Sequence, residues 1–338
     1  MNKGVNKDIL LEVENLKVHF STLFGTAYAV DGVSFNIRRG EAVALVGESG
    51  CGKSVTALSI LRLIHSPSVS HLSGTVKFEG KDLTTLSDEE MRRIRGRQIA
   101  MVFQEPMSSL NPVFRVGDQM ADVMNLHFGL SKEEAFEKIV QVMEWIGITE
   151  PKLRLRQYPY ELSGGLVQRI MIAMAIGCEP KLLIADEPTT SLDVTIQAEI
   201  LRLLARIKQE KNMSILLISH DLSVVAQIAD RIVVLYAGVK VEEGKAKTIY
   251  NSPTHPYTKA LFDSLPARSG GKRQLKTIPG SVPSATEPPK GCRFHPRCPY
   301  VMDICKEEEP PWVFTSEEGG NACWLYIDKN KIEGISKR

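Results

Sequence analysis

The sequence lacks the features that mark secreted, membrane-spanning and nucleic-acid-binding proteins. No stretch approaches the roughly 20 apolar residues that are needed to cross a bilayer. The polar residues 1–8 lack the apolar core and cleavage site of a secretory signal. A net charge of +2 over 338 residues provides no positive excess to attract nucleic acid or an anionic membrane. We therefore expect a cytoplasmic protein that binds no nucleic acid and reaches a membrane only through partners.

Cysteine is also scarce, with six residues in the chain. Structural disulfides are rare in the cytoplasm, so free thiols or metal ligation are expected. Cys292, Cys298, Cys305 and Cys323 are separated by five, six and seventeen residues, unlike the short C-x₂-C pairs of zinc ribbons or the usual ferredoxin runs. Spacing alone leaves open one metal centre, free thiols or oxidised pairs.

The clearest positive signal is the pattern G-x-x-x-x-G-K-S at residues 47–54. The apolar run 42–46 before it predicts a buried parallel strand, and residues 55–64 can continue as a helix. In this context glycine N–H groups turn inward around a triphosphate, and the helix start adds its positive dipole end. We expect Lys53 to reach the β- and γ-phosphates and Ser54 to hold Mg²⁺. The predicted nucleotide contacts are Gly47, Ser49, Gly50, Cys51, Gly52, Lys53, Ser54 and Val55, with Cys51 presenting its backbone.

Two further apolar strands are predicted to end in polar residues. Residues 181–187 end in Asp186 and Glu187, and residues 215–221 contain His220 close to their end. Such residues lie beside the ligand crevice of a parallel sheet. Asp186 is therefore expected to hold Mg²⁺ opposite the loop serine, and Glu187 to polarise the attacking water as general base. His220 can contact the γ-phosphate or orient Glu187 and water.

A second anion site is predicted where Ser163, Gly164 and Gly165 open a helical run that includes residues 170–176. A Ser-Gly-Gly turn at a helix start offers a hydroxyl and N–H groups without intrahelical acceptors. Since one chain has a single triphosphate to bind at its first loop, the second site is explained if it completes the nucleotide site of another copy across a dimer interface.

The rest of the sequence divides by pattern. Alternating residues over 9–35 predict antiparallel strands, and residues 105–176 are predicted to form a helical subdomain containing a capping box at Ser131. After Tyr236 proline becomes frequent, which predicts a cassette at 1–250 and an accessory region at 251–338. A short proline-rich segment is expected to bury little apolar surface.

In this order the motifs resemble those of the ATP-binding cassette (ABC) transporter ATPases, from about Ile9 to Val241. The matching stretches are residues 47–54 (Walker A), Gln104 (Q-loop), 162–165 (signature), 183–187 (Walker B), 191–193 (D-loop) and His220 (switch histidine). One departure is Leu166-Val167, where the signature usually continues with a polar or Met residue and an Arg.

The resemblance implies an α/β P-loop NTPase with an N-terminal antiparallel β subdomain, a RecA-like core and an α-helical subdomain. It further implies that Gln104 contacts Mg²⁺ and serves catalysis with Glu187 and His220, and that Asp193 contributes to the nucleotide site. An aromatic residue is expected to stack on adenine. Spacing favours Phe20, 33 residues before Lys53, with Tyr28 as the alternative.

Longer stretches are similar to the dipeptide/oligopeptide importer ATPases. They are residues 103–112, 158–161, 190–197, 255–258 and 291–299. This likeness implies an ATP hydrolase at the cytoplasmic face of the membrane that powers peptide uptake by ATP-driven dimer closure. Implied partners are a related second ATPase, two transmembrane permease subunits and an extracytoplasmic solute-binding protein. The likeness does not separate peptides from nickel or other small solutes.

For the four clustered cysteines, the importer likeness implies a [4Fe–4S] cluster in a small C-terminal metal-binding extension, with zinc as the alternative. The rival function is a cassette ATPase that acts on ribosomes or DNA rather than in transport. Such a protein is expected to carry two cassettes or a long coiled-coil insertion, and neither pattern is visible in the sequence.

Overall fold

The computed structural model describes residues 8–64, 68–190, 192–264, 277–316 and 318–327. The chain divides into two compact units. Unit 1 comprises Met1–Asn36, Val43–Thr84 and Ser219–Arg338, and unit 2 comprises Ile37–Ala42 and Thr85–Ile218. Among the described residues, no helix combines the length and the apolar character that a bilayer span requires.

The N-terminal part of unit 1 is a four-stranded sheet. Its strands are β1 (Ile9–Thr22), β2 (Gly25–Arg38), β4 (Val69–Phe78) and β5 (Lys81–Asp82), in the order β2-β1-β4-β5. Strands β1 and β4 are antiparallel, with Leu11 opposite Phe78 and Phe20 opposite Val69. The sequence alternates buried and exposed residues here because one face of the sheet is covered. The predicted antiparallel β subdomain is confirmed.

A second sheet in unit 1 carries the phosphate loop. Its strands are β3 (Ala42–Val46), β9 (Arg231–Tyr236), β10 (Val239–Lys245), β11 (Val313–Ser316) and β12 (Gly319–Asn321), in the order β11-β12-β10-β9-β3. The pair β3 and β9 is parallel, and every residue of both strands is buried. The unbroken apolar run 42–46 therefore marks a strand that is covered on both faces. The helices of unit 1 are α1 (Lys53–Ile60), α9 (Leu222–Ile228), α10 (Ala246–Asn251), α11 (Pro256–Asp263) and α12 (Asp303–Glu307).

The C-terminal region, defined as residues 251–338, buries more apolar surface than its proline content suggests. Tyr257, Phe262, Phe294 and Trp324 are at most 2% exposed, and the rings of Tyr236, Tyr257 and Phe294 pack together with centroids 4.5–5.4 Å apart. Burial of each such side chain contributes about 1.5–3 kcal/mol. The expectation of little burial was wrong, because the aromatic residues lie between the prolines and pack together.

Strand β12 joins this region to β10. At Gly319 a Cβ would lie 2.5 Å from the carbonyl oxygen of Glu243, so the close approach of the backbones requires glycine. The division of the chain at residue 250 stays a prediction: residues on both sides of it contribute strands to one sheet of unit 1.

Unit 2 contains three parallel strands. They are β6 (Ile99–Val102), β7 (Leu182–Asp186) and β8 (Ser214–Ser219), in the order β8-β7-β6. All residues of β7 and β8 are buried, as their apolar sequences predict. Strand β7 ends one residue before Glu187, whose φ of 45° turns the chain out of the extended conformation. The predicted α/β core is thereby confirmed.

The stretch 105–176, which was predicted to be helical, contains most of the helices of unit 2. The helices of this unit are α2 (Asp88–Ile94), α3 (Pro106–Ser109), α4 (Val116–Phe128), α5 (Lys132–Trp145), α6 (Pro151–Arg154), α7 (Gly164–Gly177) and α8 (Val194–Lys211). The capping box predicted at Ser131 is present, with Glu134 as its partner. Helix α3 is a single turn. It forms because Pro106 is suited to a first helical position and the hydroxyls of Ser108 and Ser109 donate to the Glu105 carbonyl.

Candidate functional site

The phosphate loop of unit 1 needs its glycines for steric reasons. Gly52 has φ +99°, and a Cβ there would lie 2.3 Å from the Ala29 carbonyl oxygen. At Gly47 a Cβ would lie 2.2 Å from the Leu235 carbonyl oxygen. Gly50 is open to space but has φ +77°, a conformation that side chains disfavour. The loop is therefore a tightly packed turn that leads directly into α1.

Lys53 begins α1 and folds back over this loop. Its ammonium group donates to the carbonyl oxygens of Gly47, at 2.9 Å, and Glu48, at 3.1 Å. The lysine is only 5% exposed, so its charge lies inside the turn, where a bound phosphate would take over these contacts. Ser49 and Gly50 are exposed at the tip of the loop, while Ser54 and Val55 in the first turn of α1 are half-buried.

Cys51 is structural. Its side chain is fully buried, and burial raises the pKa of the thiol. The backbone carbonyl of Cys51 accepts from the Gly238 N–H at 3.2 Å. The thiol is therefore neutral and enclosed, and the contact of the Cys51 backbone with nucleotide stays a prediction.

Glu48, the second residue of the loop, is held by side chains of the C-terminal region. Both carboxylate oxygens accept from Arg297, at 2.8 and 3.2 Å. The backbone N–H of Glu48 donates to the Tyr257 hydroxyl at 2.9 Å. Burial raises the pKa of that hydroxyl, so it remains protonated. Sequence reasoning missed Arg297 and Tyr257, although both lie in stretches that carry the importer likeness.

The two candidate adenine-stacking residues are placed differently. The Tyr28 ring lies edge-on to His19, with centroids 4.6 Å apart, and lines a cavity with Pro288 and Pro289 of the C-terminal region. Phe20 is half-exposed near the end of β1, beside a register shift. Both side chains are partly exposed, and the Tyr28 ring packs against the His19 ring.

The paired carboxylates of unit 2 stand at the end of β7. Asp186 is 4% exposed and is the last strand residue. Glu187 follows with a left-handed backbone, and its Oε2 accepts from the Gln104 side-chain amide at 2.9 Å and from the Thr190 hydroxyl at 3.0 Å. The structure therefore brings together Gln104 and Glu187, two of the three predicted catalytic residues, and adds Thr190 as an orienting donor.

The third predicted catalytic residue, His220, belongs to unit 1. It directly follows Ser219, the last residue of β8, and is exposed. The next residue, Asp221, donates its N–H to the Ser219 hydroxyl at 3.0 Å, which tightens the turn after His220. The imidazole thus stands at the carboxyl end of a strand, as predicted.

The signature turn in unit 2 opens a long helix. Ser163 is the N-cap of the 14-residue helix α7, with its hydroxyl accepting from the Leu166 N–H at 3.4 Å. Ser163 and Gly164 are exposed, so the positive end of the helix faces outward. Gly165 is required by packing, since a Cβ there would lie 2.8 Å from Ile196. The arrangement is that of an open anion site at a helix start.

The signature helix is tied to its surroundings by residues downstream of the turn. Gln168 is fully buried and donates to the Pro188 carbonyl at 2.8 Å. Val167, at the unusual position of the motif, is fully buried as well, so the departure is accommodated in the core. Asp193 caps α8 by accepting from the Ile196 N–H at 3.0 Å. Ser191 of the predicted D-loop lies outside the described residues.

The four clustered cysteines line one small closed cavity together with His255 and Phe294. All six cysteines lie in the described part of the chain and are free thiols. Burial raises the pKa of Cys292 to about 12 and that of Cys323 to about 11, and repulsion between neighbouring thiolates adds to both shifts. The four sulfur atoms are therefore close enough to influence one another.

The donor chemistry of this cavity fits iron–sulfur or zinc, whereas its geometry does not provide a formed ion site. Four thiols are the ligand set of both centres. Across the described ranges, however, no three His, Cys, Asp or Glu side chains form a group that could hold a metal ion. The cavity offers about 10 Å³, room for roughly one water. The described residues thus supply four thiols around one cavity without a formed ion site, and the predicted metal-binding extension is not supported.

Unit 2 also has an exposed groove beyond Gln104, with both apolar and charged side chains in its lining. Val113 is 70% and Phe114 55% exposed. They line a groove of about 380 Å³ together with Arg115, Asp118, Lys132, Phe136, Leu155, Arg156 and Tyr158. Exposed aromatic residues within a rim of charged side chains are typical of protein-binding surfaces.

Comparison with protein families gives two matches along the chain. Residues 30–190 match the model of the ABC transporter family. Residues 241–305 match that of the oligopeptide/dipeptide transporter C-terminal region. The second match includes α11 and three of the four clustered cysteines.

Individual relatives extend the likeness over nearly the whole chain. A dipeptide transport ATP-binding protein of Bacillus subtilis is 48% identical over 94% of this chain and 94% of its own length. A probable peptide ABC transporter ATP-binding protein of Sinorhizobium fredii is 47% identical over 96% of this chain and 97% of its own. Among solved structures, a dimeric ATP-binding cassette bound to ADP and phosphate has a TM-score of 0.63 at 27% identity, covering 70% of this chain and 99% of the cassette.

Proposed function

The chain belongs to the family of ATP-binding proteins of oligopeptide/dipeptide ABC transporters, and from that premise we propose how its residues drive import. It is the ATP-hydrolysing motor subunit of a dipeptide or oligopeptide importer. ATP and Mg²⁺ bind at the phosphate loop, with Lys53 on the β- and γ-phosphates and Ser54 and Asp186 on the metal. Phe20 stacks on the adenine, since Tyr28 already packs against His19.

The observation that carries the catalytic proposal is the position of the Glu187 carboxylate. A side-chain amide and a hydroxyl orient it by donating to one oxygen, Oε2. Glu187 accepts a proton from the attacking water as general base, while Gln104 and His220 orient that water and the γ-phosphate. Preorganised charge and hydrogen bonds, rather than covalent chemistry, supply most of the rate.

Replacing Glu187 by Gln tests this role. We expect ATP turnover by the assembled transporter to fall at least a hundredfold, because a general base contributes about 10²–10⁴ in rate, with ATP binding unchanged. A suitable control is Glu179→Gln, since Glu179 pairs with Lys211 at an exposed position of the same unit. An unchanged turnover rate in the Glu187 variant would remove the residue from this role.

The exposed signature turn supports assembly as a pair of cassettes. Ser163, Gly164 and Gly165 present an open helix start, which completes the nucleotide site of the neighbouring cassette when two ATP molecules are enclosed. The cassette structure of the comparison is a dimer bound to ADP and phosphate, which supports the same arrangement. The partner is a related ATPase chain. A purified single chain that hydrolyses ATP as fast as the assembled pair would contradict this proposal.

The groove beyond Gln104 is the contact for the permease subunits at the cytoplasmic face of the membrane. It combines exposed Val113 and Phe114 with charged Arg115, Asp118 and Lys132. The loop that carries Val113 and Phe114 follows Gln104 in sequence, so a change at the nucleotide site can be transmitted through it. An extracytoplasmic solute-binding protein delivers the cargo to the permeases.

The four clustered cysteines are the proposed ligands of a [4Fe–4S] cluster, with zinc as the alternative occupant. Cys292, Cys298, Cys305 and Cys323 would hold the cluster, which would tie the segments of the C-terminal region together. Iron, zinc and acid-labile sulfide should be measured in anaerobically purified protein, together with its ultraviolet–visible spectrum. We expect close to four irons per chain and loss of the iron in Cys305→Ser. Zinc with no sulfide would assign the alternative, and the absence of both would refute the metal site.

A further inference from the structure

The C-terminal region contacts the nucleotide site at Glu48. The Arg297 side chain is 4% exposed and grips the Glu48 carboxylate with both terminal nitrogens. Further donor contacts hold the guanidinium: Nε donates to the Pro279 carbonyl at 2.9 Å, Nη1 to the Tyr236 hydroxyl at 3.3 Å, and Nη2 to the Ile278 carbonyl at 3.4 Å. A buried, bidentate ion pair of this kind fixes the orientation of the carboxylate in addition to compensating its charge.

The backbone of Glu48 is fixed as well. Its N–H donates to the fully buried Tyr257 hydroxyl, and its carbonyl oxygen accepts from Lys53. The carboxylate, N–H and carbonyl of one loop residue are therefore all engaged. Arg297 and Tyr257 are more than 200 positions away in sequence, so the loop conformation depends on a distant part of the chain.

We propose that Arg297 and Tyr257 are positioning residues, through which the C-terminal region sets the affinity of the phosphate loop for nucleotide. A phosphate cradle binds tightly when its N–H groups already point inward, because the ordering cost is then met before binding. Without the grip on Glu48 the loop samples other conformations, and nucleotide binding must restore the competent one. The inference rests on nucleotide binding at this loop and adds the C-terminal region as its support.

The test is nucleotide affinity of the full chain, measured with a fluorescent ADP analogue. Arg297→Gln should raise the dissociation constant about tenfold, which corresponds to about 1.4 kcal/mol. Arg297→Lys should fall between the wild type and Arg297→Gln, because an ammonium retains the charge but cannot form the fork. Combining Arg297→Gln with Glu48→Gln should weaken binding no further than the stronger single change, since both remove the same contact.

Arg293→Gln is the matched control for general damage to the region. Arg293 is equally buried and lies four residues away, but it pairs with Asp31 and the Ala237 carbonyl rather than with Glu48. We expect its dissociation constant to stay within about twofold of wild type even where its urea unfolding midpoint falls. Equal loss of affinity in both arginine variants would overturn the inference, because the cause would then be general loss of packing.

If Arg297→Gln does not fold, Tyr257→Phe tests the positioning role instead. It keeps the aromatic packing and removes only the oxygen that accepts from Glu48, so the dissociation constant should rise about threefold. Unchanged affinity in both this variant and a folded Arg297 variant would refute the positioning role. Failure of the wild type to bind the analogue would instead refute nucleotide binding at the loop, so the two failures are distinguishable.

Discussion

Glu48 and Glu187 are carboxylates in two nucleotide motifs, and the structure holds them in contrasting ways. Glu48 is gripped by a buried arginine 249 positions away in sequence. At Glu187 the donors include the amide of Gln104 and the hydroxyl of Thr190, which is only three positions away. The backbone of Glu187 is left-handed at φ 45°, a conformation that costs a non-glycine residue about 1–2 kcal/mol.

The contrast separates a supporting carboxylate from a reacting one. The bidentate arginine fork at Glu48 fixes the position of that carboxylate and satisfies both of its oxygens. At Glu187 an amide and a hydroxyl both donate to one oxygen, Oε2, which orients the carboxylate as a general base requires. We therefore assign Glu48 to support of the loop and Glu187 to chemistry.

Truncation of each carboxylate gives the largest expected effect and tests directly whether Glu48 is structural and Glu187 is not. Glu48→Ala leaves Arg297 buried without its carboxylate, and we expect a loss of about 3 kcal/mol in the free energy of unfolding. Glu187→Ala should change it by less than about 1 kcal/mol, because the side chain is half-exposed and its backbone is strained. Urea unfolding of the nucleotide-free chain measures both values. A loss of similar size at Glu187 would show that its carboxylate is structural too.

The sequence predicted the parts of the site that are encoded locally. The strand at 42–46, the glycine loop and the capped helix starts at Ser131 and Ser163 follow from residues that are close together in sequence. At such positions the residues of the motif themselves determine the backbone conformation. The local pattern of residues is therefore sufficient to predict the structure there. The helix starts and buried strands accordingly match the structure within a few residues.

The support for Glu48 could not be predicted in the same way. Arg297 and Tyr257 reach the loop only because aromatic packing around Phe294 and the pairing of β12 with β10 bring the C-terminal region into unit 1. The proline-rich composition of the C-terminal region gave no indication that its aromatic rings are buried. Thr190 was missed for another reason: it lies in a matched stretch, but only the left-handed turn at Glu187 directs its hydroxyl to the carboxylate.

Removal of a single hydroxyl near Glu187 should have a smaller effect, and it tests whether that carboxylate acts in turnover rather than in nucleotide binding. Thr190→Val keeps the shape of the side chain and removes one of the donors to Glu187, and we expect ATP turnover to fall about tenfold, equivalent to about 1.4 kcal/mol in the barrier. Nucleotide affinity should stay unchanged, the reverse of the result expected for Arg297→Gln. Thr84→Val is the control, because that hydroxyl also donates to a carboxylate, of Asp82, outside the nucleotide motifs. If Thr190→Val weakened binding while turnover at saturating ATP persisted, Glu187 would belong with Glu48 among the supporting carboxylates.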